Sequence, residues 1–88
     1  MQYSFSSKFV KSLNKINNPQ VVELLEKTII NIENSNQLNE VKNLKKLKGF
    51  TNAYRIKIST YRIGLYLEND LLVLYFIAHR KEIYRFFP

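Results

Sequence analysis

The stretch from Ala53 to Tyr66, AYRIKISTYRIGLY, decides the fold. Read with a period of two, Tyr54, Ile56 and Ile58 fall on one side and Arg55 and Lys57 on the other. After Ser59-Thr60 the alternation resumes. Tyr61, Ile63, Leu65 and Leu67 share one face, and Arg62, Gly64 and Tyr66 share its opposite. The pattern predicts two antiparallel strands around a tight turn, with Lys57 against Arg62, Ile56 against Ile63 and Arg55 against Gly64. A slip of one residue would turn charges toward the apolar face, so the pattern itself selects this register. The product is a hairpin with one apolar face and one face on which three cations crowd together. Like charges placed opposite each other destabilise a sheet. Lys57 held against Arg62 therefore points to an anion between them.

Toward the C-terminus, Asn69-Asp70 reads as a second hairpin turn and Leu71 to His79 as a nearly all-apolar strand. With Glu68 opposite Leu71, the residues Leu72, Leu74, Phe76 and Ala78 are expected on the core face. Val73, Tyr75, Ile77 and His79 are then expected beside Arg62. Arg80 to Pro88 is long enough for a helical turn or a tail. Toward the N-terminus, Leu44 to Leu47 is a possible start of the sheet, with Gly49 allowing a turn, and the Asn-rich segment 34–43 reads as a connection.

Two helices are expected before that connection. From Ser7 to Ile16, Phe9, Leu13 and Ile16 make an apolar stripe, with Ser6 or Ser7 as cap. Asn18 caps and Pro19 opens a second helix running to about Glu33, with its stripe on Val22, Leu25, Ile29 and Ile32, widened by Val21, Leu24 and Thr28. Gln2 to Phe5 is a short strand. The expected architecture is a two-layer α+β domain of order β-α-α-β-β-β spanning residues 1–88. An N-terminal helical hairpin covers one face of a mainly antiparallel sheet. The other face is a cationic groove floored by tyrosine and aliphatic side chains.

Eighty-eight residues suit one small core. The chain has no cysteine, which rules out disulfides and thiolate metal sites and fits a reducing cytoplasm. Met1 to Ser7 lacks the basic start and apolar run of a signal peptide. The longest apolar run, Leu71 to Ala78, falls far short of the roughly 20 residues that span a bilayer. No His, Asp or Glu grouping has metal-ligand spacing and no Gly-rich loop cradles a nucleotide, so neither a metal nor a nucleotide cofactor is expected. The net charge is +7, and between Val41 and Leu67 stand seven cations and no acid. Such a distribution marks a polyanion-binding face, or a basic surface kept for solubility.

The ordered set KLKG, YRIKI, YRIGLY, an apolar strand and HRKEIY resembles the RelE/ParE superfamily of bacterial and archaeal toxin–antitoxin pairs. The resemblance covers essentially the whole chain. It implies a RelE-like toxin that cuts messenger RNA in the ribosomal A site, by attack of a ribose 2′-hydroxyl on the adjacent phosphate. It also implies a cognate antitoxin bound in a toxin–antitoxin hetero-oligomer. Family site positions fall on Arg55, Lys57, Arg62, Arg80 and Tyr84, with Lys48 a further basic position. One departure is Arg55, where lysine is common; arginine cannot serve as a general base. The ParE branch, which inhibits DNA gyrase on the same fold, mostly lacks the arginine-plus-tyrosine set. An inactive remnant that only binds an antitoxin is the other alternative.

Lys57, Arg62 and Arg80 suit stabilisation of a charged phosphorane. Tyr84 stands four residues after Arg80, so a helix there would put the two on one face. A free tyrosine titrates near pH ~10, so base work by Tyr84 needs neighbouring cations; stacking on a nucleobase is its alternative. His79, the single histidine, is a candidate acid or base or a satisfied strand-end residue. Lys45, Lys46, Lys48, Arg55, Lys81 and Arg85 are expected to bind the RNA backbone.

Overall fold

The hairpin is present in the expected register in the computed structural model, which describes residues 1–88. Lys57 faces Arg62, Ile56 faces Ile63 and Arg55 faces Gly64. Five strands form the sheet: β1 (Gln2–Phe5), β2 (Leu44–Lys46), β3 (Ala53–Ile58), β4 (Tyr61–Glu68) and β5 (Leu71–His79). Their order is β1-β5-β4-β3-β2. β1 lies parallel to β5, and the other pairings are antiparallel. The sheet therefore has one strand more than the order β-α-α-β-β-β. The addition is β2, which grows from the Leu44–Leu47 stretch and pairs with β3. Asn69 and Asp70 both take positive φ, 50° and 68°, as a two-residue turn matched to the strand twist requires.

Two helices cover one face. In α1 (Ser7–Asn14), the Ser6 hydroxyl accepts the Phe9 N–H at 3.0 Å. In α2 (Pro19–Asn34), the Asn18 side chain accepts from Gln20 and Val21, and Pro19 opens the first turn. The first helix ends at Asn14, two residues before Ile16. Within the widened stripe of the second, Val21, Leu25 and Ile32 are buried, while Val22 is 39% exposed. Phe9, Val21, Leu25 and Ile32 pack on Ile56, Ile63, Leu65, Leu72 and Leu74 to form the main core.

β5 departs from simple alternation. Gly64 pairs with Phe76 but Leu65 with Leu74, so Tyr75 is an extra residue, a β-bulge. Beyond it the faces invert. Ile77 enters the main core at 1% exposure, while Phe76 and Ala78 pack on the other side with Ile83 and Phe87. The placement of Phe76 and Ala78 on the core face, and of Ile77 and His79 beside Arg62, is thus corrected. The register of β1 on β5 stops at Leu74. From there α1 supplies partners to the strand edge. The Ser6 hydroxyl donates to the Tyr75 carbonyl at 2.9 Å, and the buried Ser12 hydroxyl accepts the Ile77 N–H at 3.1 Å. No helix is long and apolar enough to cross a membrane.

Candidate nucleic-acid interface

The face of the sheet away from the helices is organised in rows. Lys45 pairs with Arg55, Arg55 with Gly64 and Gly64 with Phe76. In the next row Lys57 pairs with Arg62 and Arg62 with Ala78. Alternation puts Ala53, Arg55 and Lys57 of β3 on this side together with Arg62, Gly64 and Tyr66 of β4. Lys57 and Lys45 are exposed, and Arg55 and Arg62 are half-buried. The one ion pair of the molecule, Lys27 with Glu23 at 3.7 Å, lies on α2. The sheet cations have no acidic partner.

Three basic residues converge on the Ser59-Thr60 turn, Arg80 through its backbone. Arg62 Nη1 donates to the Ser59 carbonyl at 3.0 Å and to the Tyr61 carbonyl at 2.8 Å. The Arg80 N–H donates to the Thr60 carbonyl at 2.8 Å. Lys57 stands opposite Arg62. Ser59 holds φ at 58°, and the tight two-residue turn offers the Ser59 carbonyl to the Arg62 guanidinium and the Thr60 carbonyl to the Arg80 main-chain N–H.

The C-terminal residues are not an α-helix. Arg80, Lys81 and Glu82 form turns, and a single 3₁₀ turn follows at Ile83–Arg85. A 3₁₀ turn repeats every three residues, so Arg80 and Tyr84 do not share a helical face. Arg80, Lys81, Tyr84 and Arg85 are all exposed, Tyr84 by 58%. Ile83 and Phe87, in contrast, are fully buried and join Ala53 in a second small cluster with Tyr66, Tyr75 and Phe76 around it. The groove floor expected from Tyr66 and Tyr75 is therefore occupied by the chain's own tail at that end. Lys8 reaches the same cluster from α1, donating to the Tyr75 hydroxyl at 3.0 Å, and that bond raises its pKa.

His79 lies elsewhere. Its ring meets Tyr61 edge-on at 5.6 Å, and its Nδ1 accepts the Lys81 N–H at 3.2 Å. It lines a cleft of about 780 Å³ with Lys11, Lys15, Tyr61 and Phe86, away from Arg62. Lys46 pairs with Tyr54 and belongs to the helix side of the edge strand, and Lys48 sits in the turn after it. The structure thus gathers Lys57, Arg62 and Arg80, adds Lys45 and Arg55 along the same face, and leaves His79 and Lys46 off it. Sequence reasoning passed over Gly64 and Phe87. A glycine in a strand interior is a signal of close approach by another group.

A helical hairpin behind a five-stranded sheet whose free face carries unpaired cations defines a small two-layer α+β domain with a basic face. No family model matches the chain. The chain is 40% identical to Toxin RelE3 of Methanocaldococcus jannaschii over the full length of both. It is also similar to the crystal structure of a RelB–RelE antitoxin–toxin complex from Methanococcus jannaschii. There the identity is 36%, the TM-score 0.78, and the match covers 96% of this chain and 98% of that one. A mutant of E. coli toxin RelE bound to an antitoxin RelB peptide shares the fold, with 23% identity, a TM-score of 0.67 and coverage of 96% and 90%. The chain belongs to the RelE toxin family.

Proposed function

We propose that this toxin is a ribosome-dependent messenger RNA endonuclease, held inactive by a RelB-like antitoxin. The observation that carries the reading is the group Lys57, Arg62 and Arg80 around the Ser59-Thr60 turn, with no acid paired to any of them. The 2′-oxygen attacks the adjacent phosphorus and the bond to the 5′-oxygen breaks, leaving a 2′,3′-cyclic phosphate. Negative charge grows on the phosphorane oxygens, where fixed guanidinium and ammonium groups act most strongly. Arg62 and Arg80 hold those oxygens, and Lys57 adds a point charge beside Arg62. Lys45, Arg55, Lys48, Lys81 and Arg85 track the backbone on either side. Tyr84 projects from the C-terminal turn toward solvent, free to engage the nucleotide. His79 acts from behind, fixing the turn after β5 through its bond to Lys81.

The antitoxin supplies the missing anions. Relatives of this chain are found in RelB–RelE complexes, and a segment masking Arg62 would relieve the repulsion with Lys57. Binding only the native toxin, it would also stabilise the fold. The ParE reading is not favoured, since the relatives carry the RelE name. Such a toxin works in the cytoplasm, where translating ribosomes are. Primer extension on messenger RNA from translating ribosomes mixed with the purified protein tests the proposal. A-site cleavage that added antitoxin abolishes is the expected result; intact message in the presence of folded protein would overturn it.

A further inference from the structure

Gly64 takes no unusual backbone conformation, so its lack of a side chain has another cause. A Cβ there would lie 2.4 Å from Cγ and Cδ2 of Phe87. Real atoms do not approach so closely, so the Phe87 ring occupies the place a side chain would fill. Phe87 is fully buried although it is the penultimate residue. Its ring packs against Tyr66 at 4.8 Å and Tyr75 at 5.9 Å, and its N–H donates to the Ile83 carbonyl at 2.9 Å. Phe86 stacks on Phe76 at 4.8 Å beside it. The segment after β5 is thus pinned at two ends, by the Arg80–Thr60 bond and by Phe87. The exposed Tyr84 and Arg85 are held between them.

The location of the pin matters. Gly64 lies two residues after Arg62 on the same strand face and pairs directly with Arg55. The aromatic ring therefore covers the strand position next to Arg55 in the pairing and next to Arg62 along the same strand face. From this geometry we infer that Gly64 and Phe87 form a positioning lock that fixes the C-terminal turn, with Tyr84 and Arg85, over the Arg62 face. The inference rests on the proposed nuclease reading and deepens it. Lys45, Arg55, Lys57 and Arg62 are carried by strands, and Arg80 is tied through its own N–H to the Thr60 carbonyl. Arg85 and Tyr84 depend on the lock for their place. Phe87 touches no reacting group; it acts through the turn.

The test uses the purified full chain with Phe87→Ala, the milder Phe87→Leu, Gly64→Ala, and the Gly64→Ala/Phe87→Ala pair. The main core does not include Phe87, so circular dichroism and a cooperative melt should persist in Phe87→Leu. Trypsin should cut at Lys81 and Arg85 in Phe87→Ala while the rest of the chain stays intact. On translating ribosomes kcat should fall about 10- to 100-fold, the scale of a displacement of about 1 Å, with KM within about threefold of wild type. Phe87→Leu should recover part of the loss. The double variant should be no worse than the poorer single one, because both release the same turn. Variants that cut as fast as wild type, a tail still resistant to trypsin, or a fully multiplicative double loss would each overturn the lock and leave the nuclease reading standing. A folded wild-type chain that cuts nothing would overturn the nuclease reading, and the trypsin result would then still decide whether Phe87 pins the tail.

Discussion

Lys57 and Arg62 face each other across the β3–β4 ladder, and Arg62 is tied to the turn by two hydrogen bonds from Nη1 to the Ser59 and Tyr61 carbonyls. Those bonds leave Nε and Nη2 for a ligand. Replacing Arg62 with alanine removes the two bonds, each worth about 1 kcal/mol net at this half-buried position. It also removes the repulsion with Lys57, which is of similar size. Arg62→Ala should therefore change stability by less than about 1 kcal/mol. Cleavage should drop by about a hundredfold or more, the usual cost of losing a donor aimed at developing charge. Thermal melting and primer extension check the two halves. A melting temperature lower by more than about 8 °C would assign Arg62 to the fold rather than to the site.

Ser12 makes a prediction of the opposite kind. It is 7% exposed, donates to the Phe9 carbonyl at 2.8 Å and accepts from Ile77 at 3.1 Å. It is the polar joint between α1 and the strand edge left open past the bulge. Ser12→Ala leaves a buried N–H without a partner, at a cost of about 1–3 kcal/mol. Denaturant unfolding should show that loss as a lower midpoint with an unchanged slope. Ribosome-dependent cleavage at a temperature well below the melt should stay near wild type. A loss under about 0.5 kcal/mol would mean that the bridge does not hold the helix to the strand.

The hairpin was legible because two independent signals agreed, the period-two pattern and the two short turns. The helix caps were legible because Ser6 and Asn18-Pro19 are local chemistry. What escaped the sequence was tertiary. The bulge at Tyr75 has no residue signature, since neither glycine nor proline marks it, and it is fixed by the Ser6 and Ser12 hydroxyls from a distant helix. Inverting the faces after it moved Ile77 into the core and His79 away from Arg62. The tail escaped for a similar reason. Phe87 is anchored by Gly64, 23 residues earlier in sequence, and only the packed sheet brings them together.

The unpaired face also governs salt response. If Lys45, Arg55, Lys57 and Arg62 each neutralise one phosphate, binding of single-stranded RNA releases counterions from about four sites. The logarithm of affinity should then fall with log salt at a slope near −3, or roughly 50-fold between about 50 and about 200 mM. Fluorescence anisotropy with a labelled oligonucleotide measures this directly. Arg62→Ala should make the slope shallower by about 0.7. An affinity nearly independent of salt would refute the assignment of this face to a polyanion.

Tyr84 stands 58% exposed between two buried anchors, Ile83 and Phe87. That arrangement keeps its backbone in place while leaving the ring and hydroxyl to a partner. Two roles are compatible with it: stacking on a nucleobase of the message, or moving a proton at the 2′-oxygen or the 5′-oxygen. Tyr84→Phe separates them, since it keeps the ring and deletes only the hydroxyl. Stability should be unchanged within about 0.5 kcal/mol, because an exposed hydroxyl has no buried partner to lose. Proton transfer by a positioned side chain contributes typically about 10²- to 10⁴-fold. A loss of that size in kcat, with KM unaltered, is the expected outcome and assigns the hydroxyl to the chemistry. Near-normal cleavage by Tyr84→Phe together with a large loss in Tyr84→Ala would assign the ring to stacking instead, worth about 1–3 kcal/mol per base.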